Sequence, residues 1–389
     1  MAQLTRARLG MVWRPVKVQR TSLDESTFWR SGELLMGHIL PSHYQSQRYR
    51  LRYFHLGNMA IWGKFCGPDE PCLDCQDGSQ PMVVRVRDVA FVRFRAPDLD
   101  VMEAFATSFG LQRLARDEHT LYMRGTDDDG FVHVTHRSDT PGFAGVAFVA
   151  DSVDDLDRLT HEHGFSPVAD LDGPGGGRMV HATDPNGHRV EVVAGRGSLG
   201  TLPSPTPAPR NAAGSAPRTG EVVRLDAGAS HVKRLGHCVL DVLDFRASEA
   251  WYKARLGLVT SDEIALDEGM SIGAFLRCDK GSEFVDHHTL FLIGSGKAAF
   301  NHAAFEVADF DDLMRGNTHL ASGGYTHQWG IGRHILGSQI YDYWLDPWGH
   351  MVEHWTDGDL FNNQTPPHMA SLTDLIGSQW GPTHGGPPL

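Results

Sequence analysis

Residues 184–191 read D-P-N-G-H-R-V-E, and residues 346–353 read D-P-W-G-H-M-V-E. A turn dipeptide followed by an alternating strand, written twice, marks an internal repeat. Further landmarks keep the same order. Phe109-Gly110-Leu111 matches Leu256-Gly257-Leu258. Ala147-Phe148-Val149-Ala150 followed by D-S-V-D-D-L matches Ala304-Phe305-Glu306-Val307 followed by A-D-F-D-D-L. The chain therefore carries two copies of one domain, over 85–195 and 232–357. In each, a short strand (Val89–Arg95, Gly236–Leu240) leads into a helix and then alternating strands such as Thr289–Ile293 and Met351–Trp355. Ser152 with Asp155 three residues on is a capping-box start. The pattern predicts an α+β fold of four βαβββ modules, two per domain, with paired modules curving into a cleft.

Outside the repeat lie three other segments. Residues 1–80 hold Trp13, Phe28, Trp29, Tyr44, Tyr49, Tyr53, Phe54 and Trp62. That is too much apolar surface for a disordered tail, so this extension is expected to pack on the body or on a neighbouring subunit. Residues 196–231 are Pro-rich and read as an extended spacer. Residues 358–389 read as a tail that wraps the surface or frays.

The 389 residues carry 35 basic and 48 acidic side chains, a formal charge of −13. Without a basic run, nucleic acid and anionic membranes are not expected partners. No signal peptide or membrane span is legible, and five unevenly placed cysteines do not form a disulfide framework. A cytoplasmic setting is expected. Cys66, Cys72 and Cys75, with His55, have the composition of a Cys3His structural zinc site, although the usual second pair is absent. Reduced thiols in a loop are the plainer reading.

The chain has 22 histidines, and any one alone is more often a surface or satisfied core residue than a ligand. His188, His350 and His354 are read that way. Glu353 differs. Alternation puts it on a strand face with Met351 and Trp355, where a carboxylate is costly unless something pairs with it.

The motifs G-H-C-V (236–239), D-H-H-T-L-F (286–291), N-H-A-A-F-E-V (301–307), G-R-H-I-L-G-S-Q-I-Y-D-Y (332–343) and G-H-M-V-E-H-W (349–355) occur in this order. In this the second half resembles the type I extradiol catechol dioxygenases of the vicinal oxygen chelate (glyoxalase/bleomycin-resistance) superfamily. The resemblance covers about 85–357, with the site pattern in 232–357. It implies two tandem vicinal-oxygen-chelate domains. It also implies that His237, His302 and Glu353 hold Fe(II), with Mn(II) the alternative, leaving one face open for substrate and O2. His288 then matches the acid/base histidine, and His334 and Tyr343 match the pair that hydrogen-bonds the substrate and the ring-opening intermediates. From His288 to His302 is fourteen residues, about one fewer than the family pattern. His287 is the fallback, expected to face away from Leu290 and Leu292. In the first copy Ala90 falls opposite His237, Gly145 opposite His302 and Glu191 opposite Glu353, so that copy is expected to be metal-free.

The function implied is extradiol cleavage of a catechol-type ring by a homo-oligomer. The alternatives are a hydroquinone-cleaving dioxygenase, an isomerase or epimerase, and a non-enzymatic aromatic-binding protein. Phe275, Trp344, Trp348 and Trp355 are read as core or as apolar walls of the site.

Overall fold

The computed structural model describes residues 51–56, 59–64, 83–267 and 269–382. The chain divides into two compact units, Met1–Gln80 and Pro81–Leu389. Within the first, β1 (Leu51–Leu56) and β2 (Met59–Lys64) pair antiparallel. The zinc expectation at Cys66, Cys72 and Cys75, and the packing of the aromatic-rich extension, fall outside the described residues.

The second unit repeats one motif four times. The first copy comprises β3 (Asp88–Ala96), α1 (Leu99–Phe109), β4 (Gln112–Arg116), β5 (Thr120–Arg124) and β6 (Phe131–Arg137), then β7 (Gly142–Val149), α2 (Val153–His163), β8 (Ala169–Asp170), β9 (Arg178–Thr183) and β10 (Arg189–Ala194). After the 196–231 segment come β11 (Val232–Asp241), α3 (Phe245–Leu256), β12 (Val259–Asp267), β13 (Met270–Arg277), a two-residue β14 (Val285–Asp286) and β15 (Leu290–Ile293). The fourth module is β16 (Ala299–Val307), α4 (Phe310–Ser322), β17 (Thr326–His334), β18 (Ile340–Leu345) and β19 (Met351–Thr356). The tail adds β20 (Leu360–Phe361), β21 (His368–Ser371), α5 (Leu372–Ile376) and β22 (Ser378–Trp380).

Local chemistry sets the helix limits. Asp98 accepts from the backbone N–H groups of Asp100 and Val101 to open α1, and Gly110, in the left-handed region, closes it. Ser152 and Asp155 form the expected capping box of α2. Among the described residues no helix is long and apolar enough to cross a membrane.

Strand order explains how a site arises. In the first copy it is β4-β5-β6-β3-β7-β10-β9-β8. In the second it is β21-β12-β13-β15-β11-β16-β19-β18-β17-β22. The opening strands of two successive modules, β3 with β7 and β11 with β16, pair antiparallel in the middle of each sheet. Each also pairs parallel with the last strand of its own module: β3 with β6, β7 with β10, β11 with β15 and β16 with β19. Residues far apart in sequence thus become lateral neighbours. The tail does not fray over its described part, because β21 pairs with β12 and β22 with β17.

The two copies share one buried core. Phe109 stacks on His354 at 3.8 Å between ring centroids, and the His354 Nε2–H donates to the Phe109 carbonyl at 2.6 Å. The Tyr252 hydroxyl donates to Asp184 at 3.1 Å, tying α3 to the first turn of the quoted repeat.

The registers correct one expectation. His237 lies across from Ala304, and Phe91 lies across from Ala147, so Phe91 and not Ala90 is the counterpart of His237. Gly236 in β11 and Ala90 in β3 are bulged alike. The offset of one arises in the next element, because α3 has 12 residues and α1 has 11, so matching Phe109 to Leu256 misplaces the strand before it. Gly145 and Glu191 keep their places opposite His302 and Glu353.

Candidate metal centre

His237 on β11, His302 on β16 and Glu353 on β19 converge on the same face of the second sheet. The Nε2 atoms of both histidines lie 3.3 Å from Glu353 Oε2. The candidate ligand atoms all fall within 4.8 Å of one another. Among the described residues this is the group of His, Cys, Asp and Glu side chains disposed to hold a metal ion.

Each ligand histidine follows a β-bulge. Gly236 precedes His237, and Asn301 precedes His302. A bulge breaks the alternation and re-aims the next side chain. At Asn301 it allows the side-chain Oδ1 to meet Nδ1 of the adjacent His302 ring at 2.8 Å. With Nδ1 as donor, Nε2 is left with a lone pair toward Glu353.

Glu353 is fully buried, yet neither carboxylate oxygen has a hydrogen-bond partner, and Nδ1 of His237 is also unpartnered. A carboxylate so placed is expensive unless a cation pairs with it. Burial alone would raise its pKa. The neighbouring His237, His302 and His334 imidazoles outweigh burial and hold it well below the usual carboxylate range. Burial keeps His237 below the ordinary histidine range despite Glu353, so it is neutral, the form that ligates. The residues present therefore fit a divalent ion.

Against the two candidate ligand histidines lies a cavity of about 50 Å³. His288, His334 and Tyr343 line it with His237 and His302, and Phe275, Phe291, Trp329, Leu336 and Leu375 make its apolar walls. The β17–β18 hairpin turns through Gly337 and Ser338, both with positive φ, and brings His334 Nε2 to 3.0 Å from the Tyr343 hydroxyl. Burial, then the Glu353 charge, pushes the Tyr343 phenol well above its ordinary pKa, so it stays protonated. The His288 ring lies 4.0 Å from that of His237 between centroids. Burial, reinforced by the His237 and His287 imidazoles, holds His288 well below the usual histidine range. His287 is buried behind it and faces Asp262, with Nε2 2.7 Å from Oδ2.

The six expected site residues are thus brought together. The three histidines set aside pair elsewhere: His188 with the Asp241 carbonyl, His350 with Asp346 and His354 with the Phe109 carbonyl. Of the four aromatics, Phe275 lines the cavity, Trp344 is buried and bonded to Asp342, Trp348 packs against the core, and Trp355 stands 6.2 Å from His237. Asn301, Asp262, Trp329, Gln339 and Leu375 were not foreseen. Asn301, adjacent to a candidate ligand, could have been noticed, but Leu375 reaches the cavity only through the tail's pairing with β12.

In the first copy the matching positions hold Phe91, Gly145 and Glu191. Arg93 donates through Nε to both Glu191 oxygens at 3.1 and 3.0 Å, and Arg189 donates to the first at 2.7 Å. Guanidinium groups neutralise this carboxylate.

Comparison with known proteins agrees with this geometry. The profile of the Glyoxalase/Bleomycin resistance protein/Dioxygenase superfamily matches residues 234–354. Metapyrocatechase 2 of Cupriavidus necator is 30% identical over 301 residues, covering 76% of this chain and 89% of that protein. A Mn(II)-bound glyoxalase from Novosphingobium aromaticivorans superposes with a TM-score of 0.63 at 24% identity, over 78% of this chain and 94% of that one. Homoprotocatechuate 2,3-dioxygenase from B. fuscum gives a TM-score of 0.62 at 19% identity, over 75% and 77%. The solved structures share the fold, the curated relative shares sequence over most of its length, and the chain belongs to the glyoxalase/bleomycin resistance/dioxygenase superfamily, in its extradiol dioxygenase family.

Proposed function

We propose that this dioxygenase uses Fe(II) held by His237, His302 and Glu353 to cleave a catechol-type ring next to its vicinal diol. The observation that carries the reading is the buried Glu353 carboxylate, faced by the Nε2 atoms of two imidazoles that themselves line a cavity. When bound, the ion would acidify the substrate hydroxyls and bring the ring and O2 together.

The remaining work falls to this chain's own groups. Tyr343, protonated across the working range, donates a hydrogen bond to a substrate oxygen. His288, neutral and lining the cavity, takes and returns a proton at its free ring nitrogen. His334, hydrogen-bonding distance from Tyr343, orients that hydroxyl and stabilises negative charge as the ring opens. Phe275, Phe291, Leu336 and Leu375 exclude water and hold the flat apolar part of the ring.

Residues 232–357 are the catalytic domain in this reading. Residues 85–195 are a metal-free copy in which Arg93 and Arg189 take the cation's place beside Glu191. The 196–231 segment joins them, and the tail from 358 supplies Leu375 to the cavity.

The test is anaerobic reconstitution with Fe(II), then exposure to O2 with a catechol panel, following O2 uptake and product absorbance. One iron per chain and a yellow ring-opened product are expected. Uptake with hydroquinones alone would assign the cleavage to para-diols instead. Wild-type iron content in Glu353→Ala would refute the ligand set.

A further inference from the structure

His288 faces the cavity, but its neighbour His287 is held with more care than a core histidine needs. The His287 N–H donates to the Asp359 carbonyl at 2.9 Å. The Ser261 hydroxyl donates to the His287 carbonyl at 2.5 Å and itself accepts from Arg277 at 2.9 Å. Phe361 packs edge-on against the ring at 5.1 Å. A Cβ added to Gly337 would sit 2.9 Å from Nδ1, so only glycine lets that turn close over the ring. Strand β12 is bulged at Ser261, and the next side chain, Asp262, is re-aimed at His287.

The result is an unbroken line of polar contacts. Asp262 Oδ1 lies 3.2 Å from Nδ1 of the exposed His368, and Oδ2 lies 2.7 Å from His287 Nε2. His287 Nδ1 lies 3.0 Å from His288 Nδ1. Asp262, His287 and His288 are all buried. A carboxylate can only accept, so His287 must carry its proton on Nε2. In a neutral ring Nδ1 is then an acceptor, and its partner, His288 Nδ1, must be the donor. A second proton on His287 would place a cation one hydrogen bond from His288, beside the candidate metal ligand His237.

We infer that Asp262 and His287 are positioning residues that lock His288 in the Nδ1–H form, leaving Nε2 as the proton-accepting atom toward the cavity. This extends the proposed ring-cleavage function, which gives His288 its role. The device is a carboxylate–imidazole pair that dictates the tautomer of a third group. Without it, the two tautomers of His288 would be populated together, and a fraction of the enzyme would present an N–H where a base is required.

The experiment uses the full-length chain, 15N-labelled at histidine and loaded with diamagnetic Zn(II), with long-range 1H–15N correlations reporting each tautomer. The signals lost in His288→Gln identify His288. The wild type should show a single Nδ1–H form. Asp262→Ala and His287→Phe should convert it to a mixture or to Nε2–H. In the Fe(II) enzyme both variants should keep Fe(II) affinity and KM within about threefold, while kcat falls roughly 10- to 100-fold, part of what a positioned acid–base group supplies. An Nε2–H form in the wild type overturns the inference, even if neither variant folds. So does a tautomer indifferent to both substitutions, or Fe(II) affinity that falls in step with kcat. Failure of the wild type to turn over any catechol would refute the proposed reaction and leave the tautomer measurement to decide the lock by itself.

Discussion

Gly236 and Trp355 leave no room for a methyl group between them: a Cβ on Gly236 would lie 2.4 Å from Cζ2 of the indole. The contact matters because Gly236 is the bulged residue that turns His237 toward Glu353. Trp355 is itself fixed, with the Arg234 guanidinium over its ring at 5.5 Å. Gly236→Ala must therefore displace β11 or the indole. Overpacking of this kind costs about 1–3 kcal/mol. The variant is expected to fold with a lowered Tm and to lose metal affinity disproportionately, measured by Fe(II) titration of the folded protein. Unchanged affinity would show that the bulge does not set the ligand geometry.

Asn301 supplies the other bulge and the partner of His302 Nδ1. Outer partners of ligand histidines contribute roughly 10- to 100-fold to metal affinity. Asn301→Ala should weaken Fe(II) binding by that range, while Asn301→Asp, which keeps the acceptor, should retain it. Equal affinities in all three proteins would remove Asn301 from the site.

The Tyr343 hydroxyl pairs with His334, and the side chain lines the cavity. Tyr343→Phe removes a donor and keeps the ring that packs edge-on against His302 at 5.2 Å. Iron content should be unchanged and kcat should fall roughly 10²-fold, the typical effect of deleting one preorganised donor. A variant that turns over normally would leave substrate activation to other groups.

The repeat, the module count and the six clustered side chains were legible because each rests on local pattern: a turn motif, strand alternation, or a residue order with fixed spacing. What escaped depends on insertions and long-range pairing. The one extra residue of α3 relative to α1 shifted the alignment by one, hiding Phe91 as the counterpart of His237. Arg93, which neutralises Glu191, is two residues beyond Phe91 and has no analogue in the second copy's motif, where Val239 stands. Asp262 and Leu375 reach the site only because β12 is bulged and the tail adds a strand beside it. No periodicity in the sequence reports either event.

The first copy also carries a pH-sensitive group. His133 on β6 is 5% exposed, its Nδ1 has no partner, and its ring stacks on Phe94 at 5.0 Å. Burial pushes its pKa down to about 4; Asp346 opposes this and His350 adds to it, neither reversing the direction. The unfolded chain has the ordinary value of about 6.5. Between these values the unfolded state binds a proton that the folded state refuses. Stability therefore falls as pH drops from about 6.5 to about 4, by up to roughly 3 kcal/mol from this residue, and is fully restored above that window. His133→Leu removes the titration while keeping an apolar contact with Phe94. The drop in Tm between pH 7 and pH 4.5 should be smaller in the variant than in the wild type, and other buried histidines, common to both proteins, cancel in that difference. Parallel Tm curves would mean that His133 takes up its proton without unfolding the chain.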